Sequence, residues 1–106
     1  MKKLINRPED VVSEMLQGLS LSNPKLEYFP REEVIARKRD TPIEKVGIVS
    51  GGGSGHEPAH AGYVGEGMLD AAVAGNVFAS PSPDRILCGI HQADHGKGVL
   101  LVIKNY

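Results

Sequence analysis

The chain reads as an α/β domain with a mostly parallel sheet and flanking helices. Two short β-rich apolar runs bounded by glycine, at 46–50 (VGIVS) and 99–105 (VLLVIKN), have the form of strands buried on both faces. Helical patterns alternate with them, which is the order expected of α/β architecture. The length, 106 residues with 41% hydrophobic composition, suits one domain with a modest core.

The first helix is expected over 8–21. Pro8 suits a first turn, Glu9 and Asp10 sit at the positive end, and Val12, Met15, Leu16 and Leu19 share one side. Asn23-Pro24 ends it, and the alternation at Leu26 and Tyr28 reads as a short strand. Residues 31–39 fit either a short helix or an extended connection, and Arg37-Lys38-Arg39 reads as a solvated face. After the strand at 46–50 a glycine loop is expected, then a short glycine-interrupted helix over 58–68, a strand at 71–74 and a loop at 75–80. Ser82 as N-cap, Pro83 at the first helical position and Asp84 in the first turn open a helix to about Ala93, with Ile86, Leu87 and Ile90 as its buried stripe. The run at 99–105 then reads as a central parallel strand.

Several functions are disfavoured by composition. A formal charge of −1, no Trp, three Tyr and two Phe supply neither a basic field nor stacking platforms for nucleic acid. No stretch approaches a membrane span, and the N-terminus lacks a signal h-region, so a cytoplasmic location is expected. The single Cys88 has no internal disulfide partner and reads as part of a buried helix face.

The segment Gly51-Gly52-Gly53-Ser54-Gly55-His56-Glu57-Pro58 carries the chemistry. Four glycines in five positions bring backbone N–H groups close to a small oxygen-rich ligand, with His56 at the rim as a proton acceptor near neutral pH. His56 stands where a P-loop needs lysine, where a dinucleotide fingerprint needs its third glycine, and where a nucleophile elbow at Ser54 needs glycine. Residues 56–60 do satisfy His-Glu-x-x-His, but Pro58 opposes the single helix that a zinc hydrolase needs, so no metal site is expected. Glu57 reads as a helix N-terminal charge in preference to an orienting partner of His56. Lys104 reads equally as a ligand contact or an exposed strand end, and His91 and His95 as surface residues. Ligands in open α/β sheets bind beyond the carboxyl ends of strands. If the two clearest strands are parallel, His56 and Lys104 meet at one edge.

The same segment, with His60-Ala61-Gly62-Tyr63-Val64-Gly65, Phe78-Ala79-Ser80-Pro81-Ser82-Pro83-Asp84 and Gly98-Val99-Leu100-Leu101-Val102-Ile103-Lys104-Asn105-Tyr106, resembles the N-terminal part of dihydroxyacetone kinases, specifically the dihydroxyacetone-binding K subunit. The opening MKKLIN is similar to bacterial stand-alone subunits. The resemblance implies that residues 1–106 are the N-terminal fragment of a longer two-domain fold. It implies phosphoryl transfer to a terminal hydroxyl of dihydroxyacetone from a separate L subunit that carries ADP and magnesium, so that no cofactor is bound here. Gly53, Ser54 and Gly55 correspond to the substrate-contacting loop, His56 to the acid/base and Lys104 to a substrate-binding lysine. A downstream aspartate and a histidine that captures the ketone as a hemiaminal lie beyond Tyr106, so the fragment alone is expected to be inactive. The phosphoryl donor branch, phosphoenolpyruvate or ATP, stays open. A homodimer is expected at full length, and the alternative role is a ligand sensor that binds a transcription regulator.

Overall fold

The computed structural model describes residues 3–39 and 43–104. A 3-10 turn, Pro8–Asp10, leads into helix α1, Val11–Ser22. Strands β1, Leu26–Phe29, and β2, Val34–Arg37, form a hairpin; β3, Gly47–Ser54, and β4, Ala71–Val77, follow, joined by turns and one 3-10 turn, Ala61–Tyr63. Helix α2, Pro83–Ala93, and strand β5, Val99–Ile103, complete the fold.

The sheet order is β1-β2-β4-β3-β5. The β1–β2 and β2–β4 pairs are antiparallel, whereas β3 runs parallel to both β4 and β5. The sheet is therefore mixed, not mostly parallel. The difference arises at β2, within 31–39, where the sequence pattern left helix and extended chain undecided; β1 falls where Leu26 and Tyr28 read as a short strand. Val34, Ile35 and Ala36 are all buried, which is a strand's two-sided burial and not a helical stripe.

Helices cover both faces, and strand alternation sorts the core between them. Val34, Ala36, Val49, Ala71 and Val73 gather with Ala93 on the α2 side, with Ile86 and Cys88 packed against them. Ile35 and Ala72 turn the other way to meet Leu16, Ala61 and Val64, flanked by Val12, Met15 and Leu19 of α1. Burying each of the larger side chains contributes about 1.5–3 kcal/mol.

Four further expectations change. Residues 58–68 form turns and one short 3-10 element in place of a helix. Leu87 of the expected buried stripe points outward, while Gly89 and Ala93 are the buried positions of α2. Ser82 occupies the N-cap, but its side chain makes no capping bond; its carbonyl accepts from Arg85 and Ile86 N–H groups. Strand β5 is parallel as expected but lies at the edge of the described sheet, with Leu100 55% and Val102 51% exposed. An apolar run shows that a strand suits burial on both faces, not which segment supplies the cover. Asn105, the expected last residue of this strand, and Tyr106 lie outside the described residues.

Arg37 and Arg39 are more than a solvated face, whereas the Lys38 side chain is exposed as expected. Arg37 meets the buried Asp70 carboxylate at 3.3 Å. Arg39 donates to the carbonyls of His91, Gln92 and Asp94, the orphan acceptors at the end of α2. His95, expected at the surface, is half-buried against Asp70 at 3.3 Å. Asp70 also accepts from Lys45 Nζ and from the Ile48 N–H at 2.8 Å, which ties the starts of β3 and β4 together.

Candidate active site

The glycine run is not a loop. Strand β3 continues through it, pairing Gly51 with Val73 and Gly52 with Ala74, and its register with β4 shifts between Gly52 and Ser54. The absent side chains make room for the chain's own turn after β4. A Cβ on Gly53 would lie 2.6 Å from Ala79 N and 2.9 Å from Phe78 C. Gly55, at φ +113°, would push a Cβ to 2.5 Å from the Phe78 ring. The Phe78 N–H donates to Ser54 O at 2.7 Å, and the Ser54 hydroxyl donates to Gly75 O at 2.9 Å. Ser54 thus spends its side chain on the β3–β4 junction.

Glu57 is not a helix N-terminal charge, because residues 58–60 are turn and not helix. It accepts the Gly55 N–H at 2.9 Å, which closes the turn at the end of β3. One donor that the sequence reading turned toward a ligand is therefore occupied. His56 is exposed at this rim, and its ring meets that of Phe78 edge-on, with centroids 5.1 Å apart at 68°.

Lys104 arrives at the same end. Strand β5 pairs Ile103 with Gly51, and the Lys104 N–H donates to Gly51 O at 3.3 Å, so His56 and Lys104 leave neighbouring parallel strands at their carboxyl ends. Their charges both act on His60. Burial first, and then the Lys104 and His56 charges, lower the pKa of His60, with Glu57 opposing weakly. His60 Nδ1 is hydrogen-bonded to Ser50 Oγ, while its buried Nε2 has no partner among the described residues. Residues 56–60 are not helical, so His56 and His60 do not share the helix face that a His-Glu-x-x-His zinc site requires.

The hollow beside His60, lined by Gly52, Gly53, Ser54 and Glu57, measures only about 10 Å³. A larger one of about 480 Å³, lined by Lys25, Arg37, Asp70 and His95 among others, lies at the amino ends of β3 and β4. Neither hollow is lined by His56 or Lys104; strand order alone brings those two residues to the carboxyl ends of β3 and β5, which is the candidate site.

Sequence reasoning missed Ser50, His60, Asp70 and Phe78. An aspartate directly before the small apolar run 71–74 was the available signal for Asp70. His60 was weighed only as the second histidine of His-Glu-x-x-His, and nothing local gave Ser50 or Phe78 a role, since their partners are distant in the chain.

An α/β sheet whose parallel strands β3 and β5 carry an imidazole and an ammonium beyond their carboxyl ends has the layout of a candidate small-ligand site. The chain belongs to the Dak1 domain family, whose profile matches residues 17–106. It is 59% identical over 106 residues to the dihydroxyacetone-binding subunit DhaK of a PTS-dependent dihydroxyacetone kinase from Lactococcus lactis, covering 99% of this chain and 32% of that protein. Identity is 50% to the DhaK subunit of the PEP-dependent enzyme of Escherichia coli, across 100% of this chain and 30% of that one. The crystal structure of the dihydroxyacetone kinase from C. freundii in complex with AMP-PNP and Mg2+ superposes with a TM-score of 0.86 at 43% identity, covering 99% of this chain and 20% of that one. The DhaKLM operon coactivator DhaQ of L. lactis is 49% identical over 105 residues, covering 98% of this chain and 31% of that protein. The chain therefore spans about a third of the length of the curated relatives it matches.

Proposed function

We propose that this chain is the substrate-holding N-terminal part of a dihydroxyacetone kinase of the K-subunit type. One observation carries the reading: in a chain of the Dak1 family, His56 and Lys104 leave adjacent parallel strands at the same end, beside the Gly53–Gly55 backbone. Dihydroxyacetone lies against that backbone with a terminal hydroxyl directed at the His56 imidazole and an oxygen within reach of the Lys104 ammonium.

As the hydroxyl oxygen attacks the donor's phosphorus, its proton passes to His56 and the bond from phosphorus to the donor breaks. Dihydroxyacetone phosphate leaves, and His56 returns its proton to solvent. Taking the proton as the bond forms strengthens the nucleophile, and holding a small ketose in line removes much of the entropic barrier. His60, kept neutral by its surroundings, adds no competing positive charge at neutral pH.

The donor is a separate L-type subunit carrying ADP and magnesium, recharged from phosphoenolpyruvate, in keeping with the PTS- and PEP-dependent relatives. This subunit takes no cofactor of its own, works in the cytoplasm and forms a homodimer at full length. A downstream histidine of the complete protein captures the ketone covalently, and a downstream aspartate completes the site, so residues 1–106 alone are inactive.

The test is the complete gene product mixed with its L subunit, with dihydroxyacetone phosphate as the readout. His56→Asn should leave dihydroxyacetone binding in place and lower turnover by about 100-fold or more. Unchanged turnover would remove His56 as the base. The likeness to the DhaQ coactivator, with a TM-score of 0.82, favours one second reading, a ligand sensor that binds a transcription regulator. A regulator retained by the complete protein in pull-down, with no turnover in the presence of any L subunit, would select it.

A further inference from the structure

We infer that Phe78 is a positioning residue for His56, an inference that rests on the His56 acid/base reading above. Phe78 is 64% exposed, although a phenyl ring gains most from burial. Its backbone is left-handed, at φ +55°, a conformation that costs a bulky side chain free energy and that tends to be kept where a site needs it. Burial gives this ring too little to account for that geometry.

The local contacts give it a purpose. The Phe78 N–H is anchored to Ser54 O at 2.7 Å, which fixes the turn to the end of β3. The ring then lies where a Gly55 Cβ would be, within 2.5–3.1 Å of that point, so Gly55 is the seat on which it rests. From this seat it meets the His56 ring at 5.1 Å and 68°, the edge-to-face arrangement that aromatic quadrupoles favour. The phenyl ring excludes the His56 rotamers that would overlap it and covers one side of the imidazole.

The experiment uses the complete protein with its L subunit and reads kcat and KM for dihydroxyacetone in Phe78→Leu, Phe78→Tyr, His56→Asn and the Phe78→Leu/His56→Asn double variant. Leucine keeps the apolar bulk but lacks the ring; tyrosine keeps the ring. Phe78→Leu should lower kcat about fivefold with KM within about twofold of the original, and Phe78→Tyr should retain kcat within about twofold. The double variant should be no slower than His56→Asn, because a residue that acts through His56 has nothing to position once the imidazole is gone. A fall in His56→Asn with Phe78→Leu unchanged, or with additive losses in the double variant, overturns the Phe78 inference alone. Unchanged turnover in His56→Asn overturns the base reading and this inference with it. Should Phe78→Leu fail to fold, the wild-type protein decides: nuclear Overhauser contacts between the His56 and Phe78 ring protons support the pairing, and their absence overturns it.

Discussion

Asp70→Asn should destabilise the protein by about 3 kcal/mol while leaving the proposed turnover of the complete folded protein intact. The Asp70 side chain is 2% exposed and accepts from Arg37 and His95 at 3.3 Å each, from the Ile48 N–H at 2.8 Å and from Lys45. Burial on its own would raise its pKa. The bonds from Lys45, the Ile48 N–H and His95 outweigh that and hold it below the ordinary carboxylate value. The amide variant removes the negative charge and turns one acceptor into a donor that faces other donors. Removing one partner of a buried pair costs about 3–5 kcal/mol. The partners' side chains are 21% (Arg37), 27% (Lys45) and 13% (His95) exposed, so water recovers part of the loss and the lower end applies.

Urea unfolding of the complete protein and of Asp70→Asn, at pH 7 and at decreasing pH, measures the effect. The folded-state pKa is depressed, so this stability is fully present above the unfolded value near 4 and is lost as pH falls through the lower folded value. The gap between the two proteins should narrow on acidification below about pH 4. A gap under about 1 kcal/mol at pH 7, or one that does not narrow, would refute the reasoning. Asp70 stands at the amino ends of β3 and β4, away from His56, and this is why turnover should survive.

Two glycines should respond in opposite directions. Gly75→Ala places a Cβ 2.0 Å from Ala79 O and 2.8 Å from Pro81 N and should cost about 3 kcal/mol, whereas Gly18→Ala, with nothing within 4 Å in α1, should add up to about 1 kcal/mol; urea midpoints check both. His60 has its pKa lowered by burial and by the Lys104 and His56 charges, so stability should fall as pH drops below about 6.5. Thermal unfolding of His60→Gln between pH 7.5 and 5 should lack that component, and an identical pH profile would show that His60 does not titrate with folding. The His56→Asn and Phe78→Leu measurements complete the set.

Much of the architecture was legible because it is written in local terms. The amphipathic pattern of 8–21 and the Ser82-Pro83-Asp84 start placed both helices close to their observed bounds, Val11–Ser22 and Pro83–Ala93. The β-rich runs located β3 and β5 and their parallel relation, hence the shared end of His56 and Lys104. The alternation at Leu26 and Tyr28 located β1, but β2 and hence the hairpin were not legible, because a four-residue strand carries too few positions for period two to separate from a helical turn.

By itself, the sequence determined the α/β class and the histidine-bearing glycine segment, and through it the family. These follow from residue type and spacing along the chain, which short-range sterics translate directly into structure. Only the tertiary structure decided what the glycines accommodate. Gly53 and Gly55 are bare because the turn at Phe78–Ala79 and the Phe78 ring press against them, with Phe78 more than twenty residues away in the chain. It likewise decided that Asp70 gathers Arg37, Lys45 and His95, and that Phe78 meets His56. Each is a close approach of side chains or backbone from separate strands and turns. Such approaches depend on strand order and register, which no local pattern of residues encodes.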